Sequence, residues 1–533
     1  MSALAWIESH WARLIIAYSP LWIVLITGCV VLIAELIYPS LIRLLRRVFG
    51  GKGAASRHDL ESADRELLVW LAMIGLGLAL IAGYGLWCSL STVAPSSSTP
   101  TVLESLSMLA LDQYGLMFQA VSIIVAALTI LMSHRYLKRV GRERGEYYLL
   151  VLFATAGMMI LGAANNLVMI FVGIELMSIS TYILVGIFRT HDQSLEAALK
   201  YFLLGAFSSA ILLYGIALVY GETSTFSLSR LALELPSAIS HPTTLAGLAL
   251  IVAAFAFKIA LVPFHMWVPD VYQGAPTPIT AFMAVGVKAA AIASFLRIFV
   301  EVTQNLSDVW LERYWVQTLM GLAILTMSVG NIFAIVQSSV KRMLAYSSIA
   351  HAGYLMIGLT CFPFFRDGGT NEAATAVVFY LIGYLAMTTG VFAVLCYMGR
   401  DGLEYDRFED FAGMARRFPR LSLALTICLL SLGGVPLTVG FMGKLYLFYA
   451  AVNAGFIWLT VIAVINSAIS IYYYLRLVIQ IYMRDENNIV SAIPSLSIGV
   501  AVFATSAATL FFGIFPTPAM NWAAQSIRSL GLH

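Results

Sequence analysis

Six titratable side chains sit where most proteins would not put them. Glu175, Lys200, Lys258, Lys288, His351 and Lys444 all fall inside predominantly apolar runs, each of about twenty residues, the length that crosses a bilayer. An ammonium at the membrane centre costs roughly 2.5–3.5 kcal/mol on insertion scales, so four lysines facing lipid would cost roughly 10–14 kcal/mol. They are expected to face the protein interior instead. The run Phe255-Ala-Phe-Lys258-Ile-Ala-Leu-Val-Pro263-Phe-His265-Met-Trp267 puts a lysine and a proline in one such segment. Pro263 removes a backbone donor and breaks the helix, and the groups freed there must be satisfied by protein or by water. A broken helix carrying a buried base is a place for an ion to bind and move, and the ion a lysine handles is a proton.

The combination recurs at Leu432-Gly-Gly-Val-Pro436-Leu-Thr-Val-Gly440-Phe-Met-Gly443-Lys444. Lys258 is expected about fourteen residues, or ~21 Å, along its helix, and Lys288 about nine residues into the next. Glu175 and Lys200 lie in consecutive helices joined by a short loop, so an up-down hairpin can bring them into an ion pair. Lys200 is shallower than the other lysines. Arg297 and Arg476 read as side chains snorkelling towards an interface. His351, in Ser347-Ser-Ile-Ala-His351-Ala-Gly-Tyr354, suits a hydrogen-bonded structural role and a proton relay equally.

The elements that must position these groups follow from composition. The chain has 533 residues, 60% of them hydrophobic and only 11% charged, less than half the charged fraction of a soluble domain, about 25%. An all-α polytopic membrane protein with about fourteen spans is expected. The fifth span falls near Leu167–Phe188, the sixth near Leu195–Tyr220, the seventh near Leu245–Trp267 and the eighth near Ile279–Val302. The tenth lies near Met343–Phe362 and the twelfth near Leu421–Ala450. A three-helix segment (1–146) would precede two five-helix blocks (147–302 and 303–483), and a last helix and tail (484–533) would follow. Each block has a break in its fourth span, the seventh and the twelfth. Five is odd, so the second block enters from the opposite side, and interrupted helices at matching places in inverted repeats are the usual pointer to a transport site.

Alternate loops hold 20 of the 31 basic residues, and the opposite loops and termini hold five. Basic loops face the cytoplasm, which puts both termini on the outer side. The charged loops Gly50–Ala63 and Arg400–Arg420 read as solvated connectors and Ala94–Thr101 as an outer loop. Glu35, near the cytoplasmic end of the first span, reads as interfacial. The first apolar run lacks a small-residue cleavage site. Cys29, Cys88, Cys361, Cys396 and Cys428 are scattered without metal-ligand spacing, against an iron–sulfur or zinc site. No glycine-rich nucleotide loop is present, and two facing histidines for a haem are lacking.

Several runs together resemble one family. Lys341-Arg-Met-Leu-Ala-Tyr-Ser-Ser-Ile-Ala-His-Ala-Gly-Tyr354 is similar to the tenth-span signature of the antiporter-like membrane subunits of respiratory complex I. Pro269-Asp-Val-Tyr-Gln-Gly-Ala-Pro-Thr-Pro-Ile-Thr-Ala-Phe282, followed by Lys288, and the Gly434–Leu445 run resemble the subunit N branch. The likeness extends from roughly Tyr147 to Met483. It implies proton translocation through Glu175 and Lys200 as a gating pair, Lys258 as the central proton-binding lysine, Lys288 as a relay and Lys444 as the outward-side lysine. The eleventh span offers Tyr380 and Tyr384 but no His or Lys, so the passage from Lys288 to Lys444 needs water, His351 or hydroxyls. By the same resemblance this chain holds no cofactor. FMN, iron–sulfur clusters and quinone belong to partner subunits, reached through membrane neighbours such as subunits M, K and J, in a bacterial inner membrane. The alternative is an Mrp-type sodium/proton antiporter subunit; Na⁺ favours carboxylates and carbonyls, and here lysines outnumber the one deep carboxylate, Glu175.

Overall fold

The computed structural model describes residues 15–49, 57–92, 108–141, 144–303, 305–307, 310–365, 371–399, 404–485, 492 and 495–530. The expected Ala94–Thr101 loop lies outside them, as do 50–56 of the Gly50–Ala63 loop. The described chain is helical, with isolated backbone bridges and no β-strand. Among the described residues thirteen helices are long and apolar enough to cross a membrane. The expected twelfth span is not one helix but two, Pro419–Gly433 and Val439–Asn453. Each has 15 residues and is about 22 Å long, short of the ~30 Å hydrocarbon thickness. Together they complete the fourteen crossings.

The seventh span breaks as Pro263 requires. Its first half, Pro242–Ile259, ends on Ala260 at φ 68°, and an irregular stretch leads to a short second half, Val268–Gly274. The freed backbone groups find protein partners. Leu261 N donates to Ala256 O, Trp267 Nε1 donates to Phe257 O, and Val262 N donates to Thr326 Oγ1 of the ninth span, Tyr314–Ile335. The break in the first block is thus pinned by the second.

The twelfth span turns at Gly434 (φ 84°). There Lys444 Nζ donates to the terminal carbonyls of Leu432 and Gly433, at 3.0 and 3.2 Å. The eighth span, Thr277–Thr303, is buried at every residue but Glu301 and carries a π-helical turn, Met283–Val287, directly before Lys288. Single-turn π segments are frequent at functional sites.

Two expectations about charge placement are corrected. Arg297 does not snorkel. It is 1% exposed, and its guanidinium grips both carboxylate oxygens of Asp112 at 2.6 and 2.8 Å and the Gly162 carbonyl at 3.1 Å. A carboxylate partner at hand inside the protein removes the reason to reach for the interface. Of the Arg400–Arg420 connector, residues 400–403 lie outside the described residues, and the rest is only partly solvated. Asp406 accepts from Ser339 Oγ, the Lys341 backbone and Gln273 Nε2, which folds the loop onto the start of the tenth span, Val340–Phe365. Arg476 does reach an end, donating to the Ile335 and Gln337 carbonyls over the Phe408 ring. Glu35 accepts from Gly145 N at the start of the fourth span, Gly145–Ala163.

Candidate functional site

Lys258 occupies the last turn of its half-helix, where the macrodipole is negative and a cation is favoured. It is 4% exposed, and Nζ donates to Ser178 Oγ at 2.8 Å and to Tyr182 OH at 3.3 Å, both on the fifth span, Leu167–Val185. Glu175, one turn earlier on that span, is within electrostatic reach of Lys258, and its buried Oε1 has no hydrogen-bond partner.

Lys200 is not where the hairpin argument puts it. Its side chain is 42% exposed, and Nζ contacts Glu196 at 2.7 Å and Asp270 at 2.8 Å, not Glu175. The packing of the fifth span on the sixth, Asp192–Thr223, explains this. Gly186 lies against Ala198 and Gly205 against Tyr182, which puts Glu175 level with a point about nine residues, or about 13 Å, further along the sixth span than Lys200. The connecting segment overshoots before turning back, and loop length alone does not reveal that. Asp270 also takes Arg342 at 2.7 Å, so this carboxylate ties the sixth span to the tenth.

Lys288 and Lys444 are likewise buried, 2% and 3% exposed. Lys288 donates to the carbonyl and hydroxyl of Ser348. The Tyr272 and Tyr384 phenols lie close to the Ser348 hydroxyl. One turn further on the same helix His351 sits between two phenols, Nδ1 at 2.5 Å from Tyr380 OH and Nε2 at 3.1 Å from Tyr474 OH. It is within electrostatic reach of both Lys288 and Lys444. Besides its two carbonyls, Lys444 bonds Ser467 Oγ at 2.9 Å and packs over the Tyr354 ring. Between Lys258 and Ser348 run Tyr182, packed edge-on to Tyr201, and Tyr272, in electrostatic reach of Tyr201. Among the described residues none of these three lysines forms an ion pair. Every hydrogen-bond partner is a neutral oxygen.

Residues 164–470 match the family described as NADH:quinone oxidoreductase/Mrp antiporter, transmembrane. NADH-quinone oxidoreductase subunit N of Trichlorobacter lovleyi is 41% identical over 88% of this chain and 92% of its own length. The chain belongs to the subunit N family. A chain of respiratory complex I from Thermus thermophilus is similar in structure, at 32% identity and TM-score 0.73, covering 95% of this chain and 99% of that one. A chain of the Mrp complex from Dietzia sp. has a TM-score of 0.74 at 20% identity, over 95% of this chain and 97% of its own, a likeness of fold alone. The localisation follows from the family and its apolar helices: an integral protein of a bacterial energy-transducing membrane.

The residues that link the lysines escaped the sequence reading. Ser178, Tyr182, Tyr272, Ser348, Tyr474 and Ser467 are ordinary hydroxyls in apolar helices, and only their meeting in space distinguishes them. Asp270 had a signal: a carboxylate seven residues after a helix-breaking proline.

Proposed function

We propose that this chain is a proton-translocating membrane subunit of NADH-quinone oxidoreductase (respiratory complex I), passing protons along Lys258, Lys288, His351 and Lys444. The observation that carries the reading is the neutral-oxygen environment of Lys258, Lys288 and Lys444. Taking an ammonium out of water disfavours its charged form, and partners that are hydroxyls and carbonyls accept a hydrogen bond without fixing the charge. Occupancy then answers to neighbouring charge. A unit charge arriving or leaving ~7 Å away at an effective dielectric near 20 is worth about 2.4 kcal/mol, roughly a fiftyfold change in proton occupancy. Glu175 is the charge placed to act on Lys258. Lys200, held by Asp270 and Glu196, acts from the edge of the chain rather than through contact with Glu175.

Hydroxyl-rich links support the relay. Tyr182, Tyr201, Tyr272 and Ser348 lead from Lys258 to Lys288, and His351 with Tyr380 and Tyr474 leads on towards Lys444. The redox work is assigned to partner subunits that carry FMN, iron–sulfur clusters and quinone, with subunits M, K and J as membrane neighbours. Identity of 41% with a subunit N relative, against 20% with the Mrp chain, supports complex I over the antiporter. Assembled complex carrying Lys258→Met or Glu175→Ala should lose proton pumping in proteoliposomes. Wild-type proton yield in both would overturn the reading.

A further inference from the structure

A cavity of about 360 Å³ opens on the face that carries the basic loops, lined among others by His191, Gln273, Ala275, Lys341, Glu404 and Asp406. Its floor is the end of the seventh span's second half, Val268–Gly274, and the two residues that follow. Glu404 is 28% exposed to this space, pairs with Lys341, and accepts from Thr277 Oγ1 at 3.1 Å at the start of the eighth span. Lys341 is 4% exposed and also donates to Ala275 O at 3.3 Å. The same short helix carries Tyr272, whose phenol lies close to the hydroxyl of Ser348, the residue that holds Lys288. One element therefore forms the floor of the cavity and reaches the relay.

We propose that this cavity is the proton inlet on the basic-loop face and that Glu404 is the carboxylate that takes up the proton and feeds Lys288. The inference rests on the translocation reading above and adds its point of uptake. The carboxylate of Glu404 accepts a proton from solvent in the cavity and becomes a neutral acid, which weakens its pairing with Lys341. The proton then passes by way of Tyr272 and Ser348 to the unprotonated amine of Lys288, and Glu404 returns to the carboxylate paired with Lys341. Burial, with Asp406 adding to it, pushes the Glu404 carboxyl up to about 8, so it exchanges protons near neutral pH. The groups around the pair are Asp406 on its own loop, Lys341 on the tenth span, His191 on the connector between the fifth and sixth spans, and Arg139 at the end of the third, which acts on Lys341.

The inlet must be protonated to deliver, so wild-type pumping should decline as pH rises through about 8. In the assembled complex reconstituted into vesicles, Glu404→Gln should lower proton yield several-fold and remove that alkaline decline, and Glu404→Asp should restore part of both. Tyr272→Phe, which leaves the cavity untouched, should also lower the yield. Wild-type yield and an unchanged pH profile in Glu404→Gln, or full yield in Tyr272→Phe, would overturn the inlet. Lys258→Met in the same preparation separates the two ideas. Lost pumping there alongside an unaffected Glu404→Gln removes the inlet alone, whereas normal pumping in Lys258→Met removes the translocation reading.

Discussion

A buried cation can be made permanent or provisional by its partners, and this protein does both. Arg297 faces a bidentate carboxylate, Asp112, and keeps its charge. Lys258, Lys288 and Lys444 face hydroxyls and carbonyls, which serve the amine and the ammonium alike. His351, with a phenol on each ring nitrogen, can take a proton from one side and release it on the other. His351→Phe fills the same space without a titratable nitrogen, so proton yield should fall several-fold in assembled complex while electron transfer to quinone persists. Unchanged proton-to-electron ratios would make His351 structural. Ser348→Ala, which removes the hydroxyl that Lys288 donates to and that Tyr272 and Tyr384 approach, should lower the yield in the same assay.

At the scale of elements, the two breaks use lysine in mirrored ways. Lys258 belongs to the half-helix that ends at its break, whereas Lys444 reaches back from the second half to the carbonyls that the first half leaves open. Both ammonium groups therefore lie at a negative helix end. Gly434 makes the second arrangement possible. Its φ of 84° suits glycine, and a Cβ there would stand 3.1 Å from Lys444 Cδ and 3.3 Å from Nζ. Gly434→Ala should cost about 1–2 kcal/mol from backbone conformation and shift Lys444 off its carbonyls. Thermal unfolding in detergent reads the first effect and vesicle proton yield the second; full stability with full yield would refute both.

The whole molecule is held by clasps that join its segments. Asp112 caps the third span, Gln113–Val140, by accepting from Gly115 N at 2.6 Å, while gripping Arg297 of the eighth. Removing one partner of a buried pair leaves the other charge uncompensated, at a cost of about 3–5 kcal/mol. Arg297→Met should therefore lower the midpoint of thermal unfolding, and adding Asp112→Asn, which keeps the cap and removes one of the two stranded carboxylates (Glu301, 3.7 Å from the guanidinium, is the other), should recover part of it. A double variant as unstable as the single would show that the clasp acts through some other contact. Asp270, linking Lys200 and Arg342, joins the two five-helix blocks at the basic-loop face in the same manner.

Composition and periodicity by themselves determined that the chain is a helical membrane protein, because apolar runs of about twenty residues have no other stable form in lipid. They also located both helix breaks, since Pro263 and the Gly-Gly-Val-Pro436 run forbid a continuous helix whatever surrounds them. The cost of burying lysine marked Lys258, Lys288 and Lys444 as interior before any fold was known. Tertiary structure alone decided what each lysine touches. The register of the fifth span on the sixth separated Glu175 from Lys200, the docking of the Glu404 loop created a cavity, and the meeting of the tenth, eleventh and thirteenth spans put His351 between Tyr380 and Tyr474. Burial energy is set by residue type and can be read along a chain. Pairing depends on register and rotation between helices, which change over a few ångströms and leave no mark in the sequence of either one.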